Sequence, residues 1–268
     1  MFLPTSFEKN TFDRMMQFLN ESNQIEGIIE IDYHKQKEFQ VVGKGHFEAL
    51  INSQQMAENC EPLTVGKIKS WQGLLTREQL SCGHIIDENE IGHIRSHSLQ
   101  KNVRIGSHIP PDFSAVPTLL DHLVEQINEG LKDQKKLSDD TEFCKFLGSS
   151  FQKFESIHPF ADGNGRTGRL LANYIATFCK RPIIVFSSEM KEKNEYYAAH
   201  KSEKAMGYYM AKKIQETIFG FNGQILFRDK NFGTTTKYQS ADGKYQESYE
   251  HHALTHFLAE ENLKDEKI

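Results

Sequence analysis

Twelve consecutive residues, His158-Pro-Phe-Ala-Asp-Gly-Asn-Gly-Arg-Thr-Gly-Arg169, place a base, a carboxylate, a glycine-rich turn and two guanidinium groups within one short stretch. Gly163 and Gly165, either side of Asn164, let successive backbone N–H groups converge, and a helix starting there points the positive end of its dipole at the same spot. Phosphate is the anion that such a cradle suits. Arg166 and Arg169 are three residues apart in the first turn of that helix, so both can face one side and grip further phosphate oxygens in pairs. Asp162, immediately before the cradle, is a hard oxygen ligand suited to Mg²⁺ shared with substrate phosphates. His158 has an ordinary pKa that suits it to take a proton from a hydroxyl near neutral pH. A Gly-Asn-Gly turn alone is commonly only a turn, and a lone histidine is commonly structural. Their combination describes a polyphosphate site with a base at its lip, the equipment of phosphoryl or nucleotidyl transfer.

The segment fits H-x-F-x-[D/E]-G-N-G-R-x-x-R at all eight specified positions and so resembles the Fic (Fido) family of protein adenylyltransferases. The resemblance implies that His158 is the general base, Asp162 the Mg²⁺ ligand, and the backbone at Gly163, Asn164 and Gly165 the hole for the α- and β-phosphates of ATP. It implies Arg166 as a further phosphate support and Arg169 as the holder of the γ-phosphate. A target hydroxyl would then attack the α-phosphorus in line while pyrophosphate leaves.

Far upstream, Ser22-Asn-Gln-Ile-Glu26-Gly27 fits the pattern [S/T]-x-x-x-E-[G/N] and resembles the inhibitory segment of the subgroup with an N-terminal inhibitory helix. Ser22 and Glu26 are four apart and share a helix face, and Gly27 can adopt the left-handed conformation that ends a helix. A carboxylate paired with Arg169 would deprive the γ-phosphate of its partner. Downstream, Asn194-Glu-Tyr-Tyr197 resembles the helix lining the adenine and ribose pocket, with Asn194 hydrogen-bonding the nucleotide and Tyr197 stacking on the base; both Tyr196 and Tyr197 also suit core packing. Residues 91–111 resemble the family's target-positioning flap: Val103-Arg-Ile105 alternates like a strand between Gly92, Gly106 and Pro110-Pro111. The edge of such a hairpin can take up a target segment as an added strand, although an ordinary surface hairpin has the same pattern.

The elements that must position these groups are helices. Apolar residues recur at three- and four-residue spacings over 7–24, 39–59, 64–75, 116–131, 141–157, 166–179 and 193–219. Asn59-Cys-Glu-Pro62, Pro159 and Gly220-Phe-Asn-Gly223 punctuate them. The expectation is a mainly α fold, a Fic-type helical bundle with a small β-hairpin flap. Residues 1–220 form one domain with its inhibitory helix at about 5–27 and its flap at about 91–111. Residues 221–268 form a C-terminal extension in which Ser240-Ala-Asp-Gly243 marks a candidate hairpin turn, followed by an amphipathic stretch at 249–263 suited to a helix.

Composition narrows the partners. A net charge of -5 gives no basic footprint for nucleic acid. The four cysteines lack C-x-x-C pairing, which fits reduced thiols, and no apolar run reaches the roughly 18 residues of a membrane span. The start of the sequence has no basic region followed by an apolar one, so the expected location is cytoplasmic, or outside the cell by a route that needs no cleavable signal. His93 and His97, and His252 and His256, are spaced four apart, but neither pair has a third ligand nearby and the first falls in the expected hairpin, so zinc is not expected. The expected partners are ATP, a target protein docked on the flap, which the chain itself can supply, and, by resemblance, a second copy in a homodimer. The alternatives are removal of AMP from a modified protein at the same site, with Glu26 aligning a water, and a nucleotide-sensing module that transfers nothing.

Overall fold

The computed structural model describes residues 6–28, 45–84, 86–96 and 108–219 and the strands 234–239 and 245–250, with side chains described within 12–28, 45–84, 86–96 and 108–216. Residues 97–107, the centre of the expected flap, lie outside the described residues, as do 251–263 of the expected C-terminal helix.

Helix α1, Ser6–Ile25, buries Met15, Met16, Phe18, Leu19 and Ile25, the stripe its spacing predicts. Its end is a tight turn in which Gly27, at φ +76°, donates to Gln24 O while Ile28 donates to Asn23 O, each at 3.0 Å. Helix α2, His46–Glu58, is shorter than expected among the described residues. Helix α3, Val65–Ser81, opens where Thr64 Oγ1 accepts from the Lys67 N–H. It runs past the expected end at 75 because Thr76 and Gln79 extend its buried face. Helix α4, Val116–Lys132, has Pro117 in its first turn, where a missing N–H costs nothing.

After the single turn α5, Gln134–Leu137, comes α6, Asp140–Ile157, capped by Asp139 Oδ1 and burying Phe143, Leu147, Phe151, Phe154 and Ile157. Helix α7, Asn164–Phe178, is the centre of the bundle: Leu170, Leu171, Ala172, Tyr174 and Ile175 are fully buried against α2, α3 and α6. Each large apolar side chain so buried contributes about 1.5–3 kcal/mol, which holds the first turn of α7 in place. Helices α8, Met190–Ala199, and α9, Glu203–Phe219, complete the domain, α9 packing along α6. The buried Lys213 ammonium bonds Glu192 of α8 and Glu216 at 2.8 Å, so α8 is held to α9 by charge as well as by packing. Strands β1, Thr234–Gln239, and β2, Tyr245–Glu250, pair antiparallel from Thr234↔Glu250 to Gln239↔Tyr245. The hairpin expected around residues 240–243 is therefore present, and Tyr249 and Glu250 are strand where a helix was expected to begin.

No helix among the described residues is long and apolar enough to cross a membrane.

Candidate active site

The twelve-residue segment His158 to Arg169 is the junction between α6 and α7. Helix α6 stops because His158 turns into the left-handed region at φ +48°, still donating its N–H to Phe154 O at 3.0 Å. A residue that carries a Cβ adopts that conformation at a steric cost, so the surroundings must hold it. The loop that follows is locked by Asn164, whose Oδ1 accepts from Phe160 N at 2.9 Å and whose Nδ2 donates to Phe160 O at 2.8 Å. The Asn164 side chain is thus consumed internally, and what it leaves for an anion is backbone. Gly163, at φ +79°, makes the turn into α7 against Leu75 and Thr76 of α3, where a Cβ would lie 2.8 Å from Leu75 Cδ1.

Asp162 lies half in solvent beside this turn. Its Oδ1 accepts from Gly163 N at 2.6 Å, and Oδ2 is 3.9 Å from Arg166 Nη2. Gln72 fixes the backbone here, donating to Asp162 O at 3.1 Å while its Oε1 accepts from Gly92 N at 2.5 Å. Arg166 is buried, donates from Nη2 to Gln79 Oε1, and has an Nε without a hydrogen-bond partner among the described residues.

Arg169, fully buried, is taken up by the N-terminal helix. Its Nε donates to Ser22 Oγ and its Nη2 to Ser22 O, both at 2.9 Å, and Nη2 also donates to Glu26 Oε1 at 2.8 Å. Tyr196 backs the guanidinium, with its ring centre 5.9 Å from Cζ. The Glu26 carboxylate enters the cradle itself: a Cβ on Gly165 would lie 2.3 Å from Glu26 Oε1. Burial raises the pKa of Glu26, but the attraction of Arg169, with Arg166 and Lys193 adding to it, outweighs that and holds the carboxyl below its usual range. Burial, then the nearby Arg95 guanidinium, lower His158 to about 4, so its imidazole is neutral at pH 7. Glu155, one turn earlier on α6, is raised to about 8, chiefly by burial.

The expected site residues His158, Asp162, Gly163, Asn164, Gly165, Arg166, Arg169, Ser22, Glu26 and Gly27 therefore converge on one place. Of the two candidate tyrosines on α8, Tyr196 is core at 3% exposure and Tyr197, at 51%, is free to present its ring; Asn194 is exposed on the same helix. Sequence reasoning missed Gln72 and Gln79, which lie 90 and 87 residues before the groups they hold, and left Arg95 without a role. Nothing in their local sequence distinguishes them from surface residues. Among the described residues no three His, Cys, Asp or Glu side chains gather as a metal site, so a cation at Asp162 would draw its other ligands from phosphate and water. A half-exposed carboxylate beside an anion cradle fits that role.

Residues 62–176 match the model of the Fic/DOC family. The chain is similar to proteins named "Protein adenylyltransferase Fic", at 30% identity over 115 residues to that of Aedes aegypti and 31% over 137 residues to that of Nematostella vectensis. Those alignments cover 43% and 48% of this chain and only 20% and 29% of the relatives. In three dimensions it is similar to a Fic-domain-containing signaling protein from Bacteroides thetaiotaomicron, with a TM-score of 0.59 at 18% identity, covering 79% of this chain and 87% of that one. Fic-1 from C. elegans gives 0.56 at 21% identity, covering 80% of this chain and 65% of that one. At such identities these structures speak for the fold.

Proposed function

We propose that the chain, whose residues 62–176 match the Fic/DOC family model, is a protein adenylyltransferase, moving AMP from ATP to a Ser, Thr or Tyr hydroxyl of a target protein and restrained by its own Glu26. The observation that carries this reading is the occupancy of the cradle: an ionised carboxylate from α1 sits against Gly165 and on Arg169, the place and the partner suited to a terminal phosphate.

The backbone N–H groups at the start of α7 receive the α- and β-phosphates, with Arg166 behind them. Arg169 takes the γ-phosphate once Glu26 has left, which lines up the α-phosphorus with the incoming hydroxyl. His158 accepts the hydroxyl proton as the new O–P bond forms and the bond to the pyrophosphate leaving group breaks. Asp162 would hold Mg²⁺, which when bound neutralises charge building on the phosphates. The negative triphosphate opposes the effect of Arg95 on His158 and raises its proton affinity toward a useful range. Tyr197 and Asn194 border the space for the base and ribose. The target docks on residues 91–111, within which Arg95 is held at the C-terminal end of α6 and in turn holds Pro111.

The test is intact mass after incubation with Mg²⁺ and ATP. A gain of one AMP in Glu26→Gly that is lost when His158→Ala is added supports the proposal. Nucleotide binding without covalent product in any variant, on the chain or in a lysate with labelled ATP, would sink it in favour of a sensing module. Hydrolytic removal of AMP is a second reading, favoured by the ionised state of Glu26 inside the cradle, where it can align a water. Loss of AMP release from a modified protein in Glu26→Gln would assign it.

A further inference from the structure

We propose that Arg95 is the positioning residue of this site: one side chain that fixes the backbone carrying His158 and ties it to Pro111. The inference rests on the reading of His158 as the base.

Arg95 contacts the end of α6 by backbone and side chain together. Its N–H donates to Pro159 O at 2.9 Å and its Nε to His158 O at 2.8 Å. Its Nη2 donates to Pro111 O and, at 3.4 Å, to Ile157 O. The residue is buried, at 7% exposure. The carbonyls of residues 157 and 158 belong to a helix C-terminus, where acceptors lack intrahelical partners and carry the negative end of the helix dipole, so a planar cation with several donors is the group that satisfies them. A left-handed, non-glycine residue persists only where its neighbours over-determine it, and at His158 the neighbour that grips the backbone on both sides of the strained residue is Arg95. Lysine could supply the charge but not the fork that reaches three carbonyls.

The same guanidinium bears on the imidazole through space. Arg95 and His108 oppose its protonation along with burial, while the backbone carbonyl of Glu155 and the Glu26 carboxylate favour it. Arg95 therefore sets both where the imidazole stands and when it is free to accept a proton.

The test uses the full chain in a Glu26→Gly background, with Arg95→Lys, Arg95→Met, Arg95→Gln and His158→Ala compared by circular dichroism for folding. The titration of the His158 ring is followed by NMR, its signal assigned by its loss in His158→Ala, and kcat and the KM for ATP come from AMP incorporation by mass. The expected result is a His158 midpoint about one unit higher in Arg95→Met and Arg95→Gln. In Arg95→Lys the expectation is a kcat lowered about tenfold or more with the ATP KM within twofold. A midpoint unmoved in the neutral variants, or a kcat unmoved in Arg95→Lys, overturns the proposal. If neither neutral variant folds, Arg95→Lys decides it on kcat alone. AMP transfer surviving in His158→Ala would refute the base reading instead, and the titration would then judge Arg95 by itself.

Discussion

Glu26 and Arg169 form a pair of unequal members, one partly in solvent and one sealed in the core. Removing the carboxylate leaves Arg169 its two Ser22 contacts, so the cost is that of a screened pair, about 1–2 kcal/mol, rather than that of a stranded buried charge. Glu26→Gly should therefore raise AMP incorporation roughly tenfold, read by intact mass, since about 1.4 kcal/mol of lost competition is a factor of ten. The pH dependence follows from the direction of the shift. A carboxyl whose folded pKa lies below its unfolded value of about 4.3 contributes stability that is complete above that value and lost as pH falls through the folded one. The Tm difference between wild type and Glu26→Gln should be constant, at about 3–6 °C, from pH 8 to 5 and shrink below about pH 4.5. A difference that persists unchanged at pH 3 would show that the ion pair is not what holds the helix. Asn164 offers a separate check, because its amide satisfies both polar groups of Phe160. Asn164→Ala should cost about 1–3 kcal/mol in melting experiments and reduce AMP transfer along with it; a variant of unchanged Tm would mean the loop is held elsewhere.

Helix α1 is docked by more than its apolar stripe and its glutamate. Ser188 N–H donates to Glu21 Oε2 at 2.6 Å, Ser188 Oγ to Gln24 Oε1 at 2.9 Å, and Lys193 Nζ to Ile25 O at 2.5 Å, capping the helix end. The double substitution Glu21→Ala, Lys193→Met should speed amide exchange across α1 and raise AMP transfer a few-fold, less than Glu26→Gly does. Faster exchange with no gain in transfer would separate docking from inhibition. At this scale the sequence was readable where its signals were local. The 3.6-residue stripe of α1, the Thr64 cap and the twelve-residue motif each state their own geometry within one or two turns. The residues that hold the motif in register are a different case. Gln72, Gln79 and Arg95 are polar side chains on amphipathic or irregular stretches; the packing of α3 against α7 brings the two glutamines inward, and the end of α6 does so for Arg95. Tyr196 and Tyr197 are the intermediate case, since adjacent helical positions point about 100° apart and the stripe of α8 was too weak to say which faced the core.

For the whole molecule, every core side chain among the described residues lies between Met15 and Ile214, and the matched family region lies inside that span. A chain ending at residue 220 should keep its Tm within about 2 °C and its affinity for ATP within twofold by calorimetry. Loss of either would show that the β1–β2 hairpin belongs to the working unit. The contact between Glu26 and Arg169 also has a meaning for dosage. Both residues are on one polypeptide, so on the proposed reading the carboxylate would compete at an effective concentration of order millimolar that no dilution of the protein alters. Free nucleotide would meet this tethered rival afresh at every encounter. The fraction of molecules open for transfer would then be governed by how much ATP surrounds them and by whatever pulls α1 away, and would stay the same whether the cell makes many copies or few.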